Sequence, residues 1–157
     1  MPILNLVHVN LHVADLERSI DFYGRMGWKV MHELGRHEAM DLERVPLGDA
    51  LEHGGGRAKG VVLSLGDDPR VSTKLEIMEY VDPPPTPKPF KPRNEAGVHR
   101  IAMRVKDIHG TIALFRAKGI PIQDEPHEIK VMGGRQLFVL FADPDNNHLE
   151  LIELFAE

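Results

Sequence analysis

Residues 7–13, VHVNLHV, alternate without a break. Val7, Val9, Leu11 and Val13 fall on one side and His8, Asn10 and His12 on the other, which is the period of a strand with one buried face. The next segment, ADLERSIDFYGRMGW, places Leu16, Ile20, Tyr23 and Met26 at helical spacing, so an amphipathic helix follows the strand. Asp15 is placed to accept from the first turn as an N-cap, and Gly27 to end the helix.

The same plan returns further along the chain. HVNLHVADLERSIDFYGRMGW aligns without a gap on RIAMRVKDIHGTIALFRAKGI, with His8 on Arg100 and every later pair the same 92 positions apart. Val13 meets Val105, Asp15 meets Asp107, Leu16 meets Ile108, Ile20 meets Ile112 and Gly27 meets Gly119. Strand, cap, helix and stop recur together, which chance explains poorly. A second echo closes each half: KLEIMEY (74–80) aligns on HLELIEL (148–154), with Glu76 on Glu150.

Between helix and closing strand each half has room for two more strands, about 28–37 and 60–66 in the first, about 127–131 and 135–142 in the second. The predicted plan is β-α-β-β-β, twice, an α+β protein. Module one runs over about 3–81, a connector over about 82–96, and module two over about 97–155. The extra length of the first half is expected in DLERVPLGDALEHGGGRAKG (41–60), read as a short helix and a glycine-rich loop. The connector VDPPPTPKPFKPRNEAG carries six prolines and is expected to be extended, because proline restricts both itself and the residue before it.

If each half is a curved sheet with its helix on the convex side, the apolar positions cover the helix and the alternate positions line the concave face. That face receives His8, Asn10 and His12 from the first strand, and Arg100, Ala102 and Arg104 from its repeat. The closing strands add Glu76, Met78 and Tyr80, then Glu150 and Ile152, while Leu75, Ile77, Leu149 and Leu151 sit behind them. His8, Glu76 and Glu150 form a nitrogen and oxygen donor set suited to a divalent metal. The same residues also suit a polar groove in which the carboxylates pair with arginines. His8 and His12 do not form a two-histidine zinc pair, because four strand residues at ~3.3 Å each separate them by roughly 13 Å.

Composition narrows the remaining classes. A formal net charge of −5 without a basic block gives no electrostatic reason to expect nucleic acid or an anionic membrane as a partner. The chain has no cysteine, which removes disulfides and thiolate metal sites. MPILNLVHVNLHV lacks the basic start and long apolar core of a signal peptide, and no apolar run approaches the ~18 residues of a membrane span; a cytoplasmic location is expected. HGGGR and MGGRQ read as turns, since neither continues into a phosphate-loop lysine and helix. His32, His37, His53, His109 and His127 read as surface residues, and His148 shares the face of Glu150.

HVNLHVADLERSIDFY, its echo HRIAMRVKDI and the closing FADPDNNHLELIE resemble the vicinal oxygen chelate superfamily, which includes glyoxalase I, methylmalonyl-CoA epimerase, extradiol dioxygenases and fosfomycin-resistance proteins. The resemblance spans nearly the whole chain. It implies paired βαβββ modules forming a curved mixed sheet around a central cavity, and a metal that binds neighbouring substrate oxygens and stabilises an enolate or oxyanion. Carried over by position, the family's ligands fall on His8, Glu76 and Glu150, with Zn, Ni, Co or Mn as the implied ion and no organic cofactor.

The family's remaining ligand position falls on Arg100, where the glyoxalase and epimerase branches commonly place histidine. His99 is one residue off, and a one-residue shift along a strand turns the side chain to the other face. A guanidinium ~5 Å from a dication would be repelled by on the order of 7 kcal/mol at an effective dielectric of ~20. The long stem of Arg100 alternatively holds a substrate carboxylate, phosphate or enolate in a fork.

Three functions follow from the resemblance. The first is a glyoxalase- or epimerase-like lyase or isomerase acting on a small, anionic carbonyl compound. There Glu150 or Glu76 moves the proton, and Arg100, Asn10, His12, Arg104 and Met78 contact the substrate. The second is a metal-free protein that binds or sequesters a small molecule. An extradiol-type dioxygenase is the least favoured, since Arg100 would remove one of its two histidines. A homodimer is implied by the resemblance alone.

Overall fold

The computed structural model describes residues 5–44, 56–68, 70–86, 97–131 and 134–155. Most of the expected glycine-rich loop, residues 87–96 of the proline-rich connector and the MG of MGGRQ lie outside these. The chain divides into two compact units, Met1–Pro87 and Lys88–Glu157.

In the first unit, β1 (Val9–His12) leads into α1 (Leu16–Arg25), followed by β2 (Lys29–Leu34), a two-residue β3 (Met40–Asp41), β4 (Arg57–Leu65) and β5 (Thr73–Asp82). The sheet order is β1-β5-β4-β2, with β3 added beside β4. β1 runs parallel to β5 and the other pairs are antiparallel. A 3-10 turn, Leu42–Arg44, follows β3; the short helix expected within 41–60 falls largely on residues 45–55, outside the described residues.

The second unit holds β6 (Arg100–Arg104), α2 (Ile108–Ala117), β7 (His127–Val131), β8 (Gly134–Ala142) and β9 (His148–Phe155). Its sheet order is β6-β9-β8-β7, again with one parallel pair, β6 and β9, and antiparallel pairs beyond it.

The repeat seen in the sequence extends to the hydrogen-bond register. Asn10 lies opposite Glu76 and Ala102 opposite Glu150, as the alignments of both segments require. Val13 N donates to Met78 O, and its counterpart Val105 N donates to Ile152 O.

Both helices start and stop as their residues dictate. The Asp15 side chain accepts from Arg18 N at 3.0 Å and the Asp107 side chain from Gly110 N at 2.9 Å. Gly27 and Gly119 follow the helices with φ of 103° and 75°, a region that side chains disfavour.

The helix α1 buries Leu16, Ser19, Phe22 and Tyr23, a stripe rotated slightly from the one predicted, so that Ile20 lies at its margin. Leu75, Ile77, Leu149 and Leu151 are buried as expected. Val7 is not: it precedes β1 and is 57% exposed, because the strand begins two residues later than the alternation suggests.

Candidate functional site

In the first unit, the parallel pairing of β1 with β5 sets His8, Asn10 and His12 beside Glu76, Met78 and Tyr80. His8 Nε2 lies 3.3 Å from Glu76 Oε2, and Asn10 Nδ2 donates to Glu76 Oε1 at 3.1 Å. Both carboxylate oxygens of a side chain only 12% exposed therefore have partners from β1 and the residue before it. Asn10 also reaches Met78 Sδ at 3.5 Å, and the His12 ring meets Tyr80 edge-on with centroids 5.1 Å apart.

Met78 is buried with Leu42 and Ala58, and Met40 and Tyr80 pack against this cluster. The 3-10 turn thus supplies an apolar floor beside the polar row. Its contribution was not readable from periodicity, because Leu42 belongs to no alternating run.

In the second unit, Arg100 Nε donates to Glu150 Oε2 at 2.7 Å. Glu150 is 5% exposed, and this ion pair compensates a carboxylate that would otherwise be costly to bury. The side chain of Arg100 is 48% exposed, and its two amino groups carry four further N–H donors. Arg104, next but one along β6 after Ala102, is exposed.

His99 does not simply turn its back on this face. It precedes the first residue of β6, and its ring lies 4.9 Å, centroid to centroid, from that of His148. Strand alternation does not govern a residue outside the ladder.

Sequence reasoning missed one paired device. Glu79 Oε2 accepts from Leu16 N at 2.8 Å, and Glu153 Oε2 accepts from Ile108 N at 3.0 Å. Each closing strand so reaches over to the first turn of its own helix, satisfying an N–H that has no partner within the helix. The two glutamates already stand opposite one another in the alignment of 74–80 with 148–154.

The donors present do not fit a three-ligand dication centre. Among the described residues no group of three or more His, Cys, Asp or Glu converges, and Glu150 is held by a guanidinium that would repel an ion on the same carboxylate. The arrangement suits hydrogen bonding and anion recognition: a fork-shaped cation in one unit, and in the other a polar row beside an apolar floor. Among the described residues no helix is long and apolar enough to cross a membrane.

A profile of the glyoxalase/bleomycin resistance protein/dioxygenase superfamily matches residues 5–151. No curated protein matches the sequence. Among solved structures, a glyoxalase family protein from Bacillus cereus superposes with a TM-score of 0.73 at 16% identity, covering 99% of this chain and 97% of that one. A glyoxalase family protein from Enterococcus faecalis gives 0.65 at 24% identity, covering 98% and 100%. An antibiotic binding protein from Streptomyces sp. CB03234 gives 0.57 at 22% identity, covering 99% of both chains. At these identities the structural likeness concerns the fold.

Proposed function

The chain belongs to the glyoxalase/bleomycin resistance protein/dioxygenase superfamily, and from that premise we propose that it binds a small anionic molecule without needing a metal ion. The observation that carries the reading is the Arg100–Glu150 pair at 2.7 Å. A guanidinium fixed through Nε by a buried carboxylate is pre-oriented, so less side-chain entropy is lost when its amino groups bind a ligand. A carboxylate is the group whose shape and charge match that fork. Arg104, on the same face of β6, adds positive charge. In the first unit by itself, His8, Asn10 and His12 form a polar row beside the floor made by Leu42, Met78 and Tyr80, and they are proposed as ligand contacts of that unit. The antibiotic binding protein among the structural neighbours is in keeping with capture rather than turnover.

A second reading, a glyoxalase- or epimerase-like lyase or isomerase, is favoured by Glu76. This carboxylate is nearly buried and has His8 within 3.3 Å, a pairing suited to moving a proton next to a carbonyl. In that reading Glu76 is the base. A cytoplasmic location and a homodimer are part of the proposal, and sedimentation equilibrium tests the latter.

Thermal-shift screening in the presence of a chelator tests binding directly. Small carboxylates, their uncharged amides and inorganic phosphate form the panel. The proposal expects carboxylates to raise the melting temperature where the matched amides do not. A panel that stabilises the protein only after Zn²⁺, Ni²⁺, Co²⁺ or Mn²⁺ is added would overturn it.

A further inference from the structure

At the end of the second unit's sheet where β6 and β9 begin and β8 finishes, there is a cavity of about 370 Å³. Its wall includes His99, His148, Gln123, Asp124, Leu140 and Phe141. Neither Arg100 nor Glu150 is among the described residues lining it, although Arg100 is the ladder partner of His148.

His99 is anomalous there. Both of its ring nitrogens are buried and neither has a hydrogen-bond partner. A neutral imidazole carries one donor and one acceptor, and buried polar atoms are nearly always satisfied, so the exception calls for a physical reason. The neighbour of this ring is the imidazole of His148, with centroids 4.9 Å apart and planes tilted by 48°.

That spacing has a chemical meaning. With nitrogen–metal bonds of about 2.0–2.1 Å and a ligand angle of roughly 90–110°, two imidazoles on one ion hold their centroids about 4.5–5.2 Å apart. The observed 4.9 Å falls inside this interval. A dication between the two rings would give His99 the partner it lacks. Asp124 lies on the same wall and contributes negative charge to it.

We propose that His99 and His148 form a two-imidazole site for a divalent transition-metal ion of the imidazole-preferring group, Zn²⁺, Ni²⁺ or Cu²⁺. The site is distinct from His8, Glu76 and Glu150. No covalent or redox step is involved; the ion joins the start of β6 to the start of β9.

Calorimetric titration of Zn²⁺ into the untagged full chain tests this. One equivalent should bind. His99→Ala and His148→Ala should each weaken binding by at least roughly tenfold, while His8→Ala and Glu76→Gln should leave it unchanged. Circular dichroism establishes that each variant is folded. If His99→Ala does not fold, His148→Gln decides the matter, since that substitution removes one imidazole and keeps a polar side chain. Absence of Zn²⁺ binding, or binding indifferent to His148, overturns the proposal. Loss of binding in His8→Ala or Glu76→Gln also overturns it, by placing the ion on the family's ligand positions; that outcome contradicts the metal-independent reading as well, whereas the first two leave it standing.

Discussion

Arg100 stands to Glu150 as His8 stands to Glu76. In each unit the side chain at one position of the repeat holds the carboxylate that the repeat places on the closing strand, at 2.7 Å in one case and 3.3 Å in the other. The two pairs differ in their donor: a planar guanidinium in one and a ring nitrogen in the other. One fold element, used twice, has diverged into a guanidinium–carboxylate pair and an imidazole–carboxylate pair.

Removing the fixed cation exposes its structural role. Arg100→Ala leaves Glu150 buried without its partner and is expected to cost about 1–3 kcal/mol. Glu150→Gln in the same background should recover part of that loss, because the amide carries no charge to compensate. Urea denaturation of the two single variants and the double variant measures the coupling; strict additivity would show that the pair contributes nothing.

The glutamate caps make matching predictions for the two halves. Glu79→Ala and Glu153→Ala each leave a helix N–H without its acceptor, and each should lower stability by about 1–2 kcal/mol, the range of ordinary N-cap losses. Glu79→Gln and Glu153→Gln should cost less, since the amide oxygen still accepts. Equal losses from Ala and Gln in chemical denaturation would show that charge near the helix terminus, rather than the hydrogen bond, is what matters.

A surface clamp predicts part of the acid limb of stability. Arg36 donates to both oxygens of Glu17, at 2.8 and 2.7 Å, and also reaches Glu33 at 3.2 Å, so α1 is tied to β2 and the turn after it. The hydrogen bond from Arg36 lowers the Glu17 carboxyl below its ordinary 4.5. A carboxyl depressed in the folded state stabilises the fold above its unfolded value, and that stability is lost as pH falls through the folded value. Glu17→Gln should therefore lower stability at pH 6 by at most about 1 kcal/mol, as for exposed pairs. The difference from the unsubstituted protein should shrink as pH falls below the ordinary 4.5 and through the lower folded value; a gap that does not diminish on acidification would contradict the linkage.

Alternation and the internal repeat carried most of the architecture. The placement of Asn10 beside Glu76, and of Arg100 beside Glu150, was legible because β1 and β6 are regular strands and their period is two; His8, just before β1, continues that alternation. Three features were not legible, for separate reasons. The 3-10 turn at Leu42–Arg44 is too short to show a period. His99 lies just outside β6, where parity does not bind it, and its contact with His148 depends on the local path after Gly97 (φ 126°). The caps from Glu79 and Glu153 were present as aligned letters, but their meaning depends on where the closing strand passes the helix start, which is tertiary information.

Calorimetry with a carboxylate probe, pyruvate, in the presence of a chelator tests the central claim most directly, using the unsubstituted protein, Arg100→Lys and Arg100→Gln. Arg100→Lys keeps the cation beside Glu150 but loses the planar fork, so a folded protein with weakened binding separates recognition from stability. The account predicts binding without metal, reduced in Arg100→Lys and abolished in Arg100→Gln. Binding that appears only with added metal, or that is unchanged in Arg100→Gln, would contradict it.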